Sequence, residues 1–475
     1  MRLKIALTFI LSIFLFNATP HLWAESVWRV DWESTATLKD GKSWDAAFTT
    51  IQEGVDAAFN AGGGEVWVAE GTYENTISTT DTIVKMRDHI SLYGGFIGIG
   101  IEGYENIREL RDWEKHKTII DGENIHQCIY NYDIHNASID GFIISHSYTA
   151  MENSSVSLLT VENCIFKDNS HQGINGYDEA WVDLGGLLYR MPAHQGENVY
   201  GSAICNDSST VTVINCQFYN NFAKGGTGGN GVAYPAGWGG NANGGAIYND
   251  SGTNLQLINC IFAGNKIVGG APGYSPGGSG SSGEVAGSAI YSDWNSFTNL
   301  INCIIANNTG NCALYYFGGA YSQFNISNCV IWSNISSGVF LDNWSRRSVV
   351  YSDIQGGYSG EGNIDANPLF INPGGGDFHL QYGSPCIDTG TSVSISMDLD
   401  GNPRPADVPG VGADGTGWEY DMGAFEFQPN YASLSDTKNH ILGRAPLPAF
   451  RKFYADHNGD GKIDVADLTF LLLQK

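Results

Sequence analysis

An all-β chain wound as a right-handed parallel β-helix is the fold this sequence predicts, and three observations carry the prediction. The first is a phrase repeated five times, at 161–169, 213–221, 257–265, 300–308 and 326–334. It reads aliphatic, any residue, Asn-Cys, any residue, Phe or Ile, two spacers, Asn. The second is the spacing. Successive repeat cysteines lie 52, 44, 43 and 26 residues apart, yet removing residues 170–200, 222–243, 266–286 and 309–310 leaves coils of 21, 22, 22 and 24 residues. Coils of that length, rich in Val, Ile, Asn and Gly, suit three short strands joined by bends. The third is a phase flip. Before most of the Asn-Cys pairs the apolar positions lie three and five residues upstream of the Cys, as in Val211 and Val213; after it they are the Cys and the residue two beyond. A straight strand of period two cannot do this, so Asn163, Asn215, Asn259, Asn302 and Asn328 are expected to turn the chain in the left-handed conformation that Asn tolerates. The right hand follows from the preference of parallel crossovers.

Taken in order, the chain opens with Arg2 and Lys4 before an apolar run at 5–16 and a Leu22-Trp-Ala24 cleavage site, which marks 1–24 as a secretory signal and places the mature protein outside the cytoplasm or at a bacterial cell surface. The run is too short to span a bilayer comfortably, and no later stretch approaches the required length. Residues 45–136 are read as an N-terminal cap and first coils. Ile51, Val55, Ala58 and Phe59 have helical spacing, Gly62 to Gly64 end the helix, and 65–69 form a strand; such a unit covers the open end of a solenoid. Residues 137–357 hold the repeats. Five of the nine cysteines occupy equivalent inward sites, where rung spacing exceeds what a disulfide allows, so they form a ladder of buried thiols. With 24 Lys plus Arg against 50 Asp plus Glu and a net charge of −26, nucleic acid and anionic membranes are excluded as partners.

The Gly-x-Ala-Ile phrases at 201, 244 and 287 together with the Phe-x-x-Asn phrases resemble repeats of the chlamydial polymorphic outer-membrane proteins, and residues 45–427 as a whole resemble the pectin-lyase-like superfamily. That superfamily includes lyases, hydrolases, adhesins and passenger domains, so the resemblance implies fold more than activity. Residues 358–427, with Asn367-Pro-Leu-Phe370, Gly383-Ser-Pro-Cys-Ile-Asp388 and Asp421-Met-Gly-Ala-Phe425, resemble the choice-of-anchor Q block, expected to cap the far end of the solenoid. Residues 428–452 read as a linker. In 453–475, Asp456, Asn458, Asp460, Asp464 and Asp467, with the carbonyl of Lys462, match the ligand spacing of a Ca2+ loop with Gly461 at its turn. The Leu-rich stretch that follows makes this hand resemble one dockerin repeat. Dockerins that bind cohesins carry two, so a cohesin-like or cell-envelope anchor is a partner implied by the resemblance alone.

Function is expected in the three long inserts, which leave consecutive coils at one corner and so lie side by side. They carry Tyr177, Trp181, Tyr234 and Trp238 as candidate glycan platforms, with Asp178, Glu179 and Asp183 as the one carboxylate cluster suited to glycosidase chemistry. Against this stands the plainer reading that the aromatics glue glycine-rich loops to the solenoid. Asp207, Asp250 and Asp293 recur at one coil position; turn hydrogen bonding explains them better than a calcium ladder. Lyases of uronate polymers need cations, and 137–357 contains six Lys plus Arg. The expectation is therefore a secreted or surface β-helix that binds glycans or neighbouring surfaces, with a polysaccharide lyase or glycoside hydrolase acting in polysaccharide breakdown as the alternative.

Overall fold

A computed structural model describes residues 26–74, 82–98, 107–183, 188–232, 234–250, 252–319, 322–341, 346–408, 410–412 and 419–428. The expected secretory segment 1–24, nearly all of the expected 428–452 linker and the expected calcium loop with Asp456, Asn458, Asp460, Lys462, Asp464 and Asp467 lie outside the described residues.

The described chain is a parallel β-helix of three long sheets. The first runs through ten strands from Val27–Val30 to Arg346–Val350, the second through nine from Gly71–Tyr73 to Asp353–Ile354, and the third joins Thr82–Lys85 to Ile335–Leu341 along the remaining side. Neighbouring strands pair in parallel with equivalent repeat positions aligned, Val161 with Val213, then Leu257, Leu300 and Ile326. The corner asparagines adopt the expected left-handed backbone, with φ between 52° and 53° at Asn163, Asn215, Asn259, Asn302 and Asn328. That conformation lets the inward side alternate correctly on both sides of the bend. Gly141, at φ 84°, takes the same corner one coil earlier.

Inside, the aliphatics, cysteines and Phe166, Phe218 and Phe262 form dry stacks, the rings lying 4.9 and 4.5 Å apart. Cys164, Cys216, Cys260, Cys303 and Cys329 are fully buried and unpaired. The closing asparagines form a ladder that the sequence alone did not assign. Asn169, Asn221, Asn265 and Asn308 each pass a side-chain N–H to the amide oxygen of the next, at 2.9 to 3.0 Å, and the ladder ends at Asn334, whose N–H goes to the Ile305 carbonyl. A second ladder runs from Asn131 through Asn153, Asn206 and Asn249 to Ser292. Buried amides are tolerable only because the partner above and below satisfies them. The adjacent Asp293 accepts the Trp294 N–H at 2.7 Å, a turn contact of the kind expected.

The helix Ile51–Asn60 is capped by a reciprocal Thr50–Glu53 pair and sets Ile51, Val55 and Ala58 into the first coils. Phe59 points outward instead, beneath the Arg87 guanidinium at 5.4 Å.

Residues 358–427 meet the expected end cap only in their first part, where Ile364 pairs in parallel with Asp353 of the last coil. Tyr358 packs against the solenoid interior at the far end, and the block then folds back along the outer face of the second sheet. There Phe370, Phe378, Ile387 and Met422 cover Ile261, Ile304 and Val330, the outward residues that follow three of the repeat cysteines. Apolar side chains at an outward strand position were the legible sign that this face is covered.

The block buries an unusual set of acids. Arg404 Nε lies 3.1 Å from Glu426 Oε2 with both side chains buried, Asp388 accepts the Val408 N–H, and Asp421 accepts the Asp388 N–H. Burial pushes the Asp388 and Glu426 carboxyls up to about 7, and burial with repulsion from Glu426 raises Asp421. Their native pKa values exceed those of the unfolded chain, so the folded block holds protons that the unfolded chain has released between about pH 4 and pH 7, and stability falls as pH rises through that window. His379 acts in the same sense. Burial lowers its pKa, but bonds to Asp400 and Asp377 outweigh burial and leave it raised, a contribution lost as pH climbs through its folded pKa. We expect the full chain to be less stable at pH 8 than at pH 5 by about 1–3 kcal/mol, measured by urea titration, and Asp388→Asn to flatten the dependence. A pH-independent midpoint in the parent would refute the assignment.

Candidate functional site

The three inserts do not leave at a corner as expected. After each closing Asn the chain first adds a three-residue strand to the third sheet, Ser170–Gln172, Phe222–Lys224 and Lys266–Val268. Only then does it depart, returning through the paired short strands Val199–Tyr200, Ala242–Asn243 and Val285–Ala286. The coil without an insert shows what was interrupted, because Thr309–Tyr316 pairs with Lys266 at one end and with Ile290 to Ser292 at the other.

Between departure and return the inserts build a bundle of extended segments whose hydrogen bonds recur every three residues. The N–H groups of Gly173, Gly176 and Glu179 donate to the carbonyls of Lys224, Thr227 and Asn230. Those of Gly225, Gly228 and Gly231 donate to Val268, Ala271 and Tyr274. A second set crosses between outgoing and returning segments: Glu197 to Ile174, Gly226 to Glu197, Gly240 to Gly226 and Gly270 to Gly240. Three residues per turn is the repeat of a polyproline II helix, which has no internal hydrogen bonds and must find partners in its neighbours. The third N–H of each turn goes to a side chain. Asn175 accepts from Thr227, Asp178 from Asn230, Asn230 from Tyr274 and Asn241 from Glu284, at 2.6 to 2.9 Å.

Glycine is required here for close approach. A Cβ on Gly226 would stand 2.0 Å from the Ile174 carbonyl, and one on Gly240 would stand 1.9 Å from that of Glu197. The third position of the turn holds Asn175, Asp178, Thr227 and Asn230, with Trp238 and Tyr274 at the corresponding positions of the later segments.

Trp238 and Tyr274 are exposed at those positions, 63% and 69% accessible, while Tyr177, 76% accessible, stands one residue before Asp178 at the position equivalent to Gly229. Trp181 lies on the antiparallel hairpin Ala180–Asp183 with Leu188–Met191, and Arg190 on the same hairpin places its guanidinium 5.3 Å from the Trp181 ring and 5.1 Å from that of Tyr234. Arg190 Nε is ion-paired to Glu179 Oε1, whose side chain is 2% exposed. Glu179 Oε2 also accepts the backbone N–H groups of Val232, at 2.6 Å, and Tyr234, at 3.1 Å.

The structure thus brings Trp181, Tyr234, Glu179 and Arg190 together at one tip. Asp178 is one of the side-chain acceptors that tie neighbouring segments, equivalent to Asn175 one turn earlier. For Asp183 only the backbone pairing to Leu188 is described. The three-residue glycine spacing, Gly225-Gly226, Gly228-Gly229 and Gly231, was the available signal for the bundle, and Arg190 is the tip residue that sequence reading passed over.

A second aromatic row lies at the foot of the lobe. Tyr248, Tyr291, Tyr315 and Phe340 stack at 5.2, 5.3 and 4.7 Å with nearly parallel planes. Rings stacked this way occupy one another's faces, so this row welds the third sheet. Among the described residues no group of three or more His, Cys, Asp or Glu side chains is placed to share a metal ion, and no helix is long and apolar enough to cross a membrane.

No protein-family model matches the chain, and no curated protein matches it in sequence. Among solved structures, the crystal structure of the pectate lyase Pel9A aligns at a TM-score of 0.39 and 14% identity, over 85% of this chain and 96% of that one. A likeness that loose says nothing about the site; the parallel β-helix stands on the strand pairing described above.

Proposed function

We propose that this chain is a glycan-binding β-helix whose glycine-rich lobe is the binding surface. The observation that carries the proposal is the set of aromatic side chains, Tyr177, Trp181, Tyr234, Trp238 and Tyr274, exposed on a bundle whose close-packed positions are glycine. Large rings left in water on a scaffold with a fixed three-residue repeat suit the apolar faces of pyranose rings, with little ordering cost on binding. The two members of the carboxylate cluster whose side chains are described support binding over hydrolysis. Asp178 and Glu179 already accept backbone N–H groups of the neighbouring insert, and Glu179 is closed off by Arg190.

The test is retention of the mature protein on a panel of insoluble and gel-embedded polysaccharides, with parallel assay for new reducing or ultraviolet-absorbing ends. Retention without product is expected. Trp238→Ala and Trp181→Ala should each weaken it by about fivefold or more, the loss of an exposed anchor ring. Product formation abolished by Asp183→Asn would replace the binding reading with an enzymatic one, and neither retention nor product on any polymer would remove both.

A further inference from the structure

We infer that the polysaccharide held by this lobe is uncharged, an inference that rests on the glycan-binding reading and narrows it. A carboxylated or sulfated polymer carries a negative charge on most sugar units and needs cations to receive them. At the lobe tip the cation is Arg190, and its charge is spent in place. Glu179 is bonded to Nε and is itself nearly inaccessible, and the rings of Trp181 and Tyr234 lie within 5.3 Å of the guanidinium carbon. Arg190 therefore serves to hold the two rings, and its pairing with Glu179 leaves the cluster neutral.

The remaining charges of the inserts point the same way. Across 170–200, 222–243 and 266–286 the acids are Asp178, Glu179, Asp183, Glu197 and Glu284, and the bases are Arg190, Lys224 and Lys266. Lys224 and Lys266 stand on the three-residue strands at the root, away from the hairpin tip, with Lys266 drawn over the Phe222 ring at 5.7 Å. A polyanion approaching the aromatics meets a neutral cluster set in a chain of net charge −26. A neutral polymer meets rings without that repulsion, which is felt over about 8–10 Å at ordinary ionic strength.

Affinity electrophoresis separates charge from backbone when polygalacturonate is compared with its fully methyl-esterified form, with galactomannan as a second neutral polymer. At about 50 mM salt we expect at least one neutral polymer to retard the protein about fivefold more than polygalacturonate, a gap that narrows on raising salt about tenfold. Glu179→Gln keeps an acceptor for the Val232 and Tyr234 N–H groups but frees the Arg190 charge, so this variant should gain about threefold or more in retardation by polygalacturonate. Polygalacturonate binding equal to or tighter than that of both neutral polymers, or no gain in the variant, would overturn the inference while leaving glycan binding intact. Failure of every polymer to retard the protein would instead strike the glycan reading itself.

Discussion

Aspartate in place of Cys260 is expected to destabilise the solenoid by about 3–5 kcal/mol, the cost of an uncompensated charge in an apolar interior. Cys260 is fully buried in register between Cys216 and Cys303. Its sulfur faces the carbonyl oxygens of Ile258 at 3.2 Å and Val213 at 3.6 Å. A thiol can donate weakly to either oxygen, whereas a carboxylate would set acceptor against acceptor and would have to fold protonated. Cys260→Ala removes the same sulfur without adding charge and should cost about 1–2 kcal/mol, so the gap between the two variants isolates the electrostatic part. Urea unfolding followed by circular dichroism measures both. An aspartate variant within about 1 kcal/mol of the parent would show that this side of the solenoid is wetter than its packing implies. In the parent, thiol labelling without reductant should reach the ladder cysteines only after denaturation, as their burial and lack of pairing require.

Paired substitutions Gly226→Ala and Gly240→Ala should open the insert lobe and abolish polymer retention while the solenoid stays folded. Each new Cβ meets a backbone carbonyl at about the length of a covalent bond plus a few tenths of an ångström, 2.0 Å at Ile174 and 1.9 Å at Glu197. No rotamer change relieves a clash with backbone, so the segments must separate, and the Gly226-to-Glu197 and Gly240-to-Gly226 hydrogen bonds that join three of them are lost together. Overpacking of this kind costs about 1–3 kcal/mol at each position. The coils beneath are held by their own Cys, Phe and Asn stacks, so far-ultraviolet dichroism should be retained while proteases gain access to 173–198 and 225–241. Thr227→Ala, at the third position of the turn in the same segment, is the control and should behave as the parent. Unchanged retention and protease resistance in the double variant would mean that the lobe tolerates separation of its segments.

The solenoid was legible because its grammar is local. Each coil must turn inward side chains to the interior on both sides of a bend, and only a left-handed residue at the corner allows this, so Asn163 and its four equivalents are written into the repeat itself. The thiol ladder follows from the same register. The N-terminal helix was readable from its spacing and its glycine stop, although the fate of Phe59 was not, since that depended on Arg87 arriving from a later loop.

What only the tertiary structure decided is where chemically similar side chains spend their hydrogen bonds and which faces they cover. Residues 358–427 carry apolar residues that suit an end or a flank equally well, and the flank was chosen because Ile261, Ile304 and Val330 form an apolar stripe that no single repeat displays. Asp178 and Glu179 look like catalytic acids when read along the chain. They prove to be backbone acceptors because residues 230, 232 and 234, more than fifty positions away, arrive against them. The three-residue glycine repeat was present in the sequence throughout, but an extended segment with no internal hydrogen bonds acquires meaning only from its neighbours. Periodicity fixes which way a side chain points; the partner that meets it there is set by segments the local pattern cannot see.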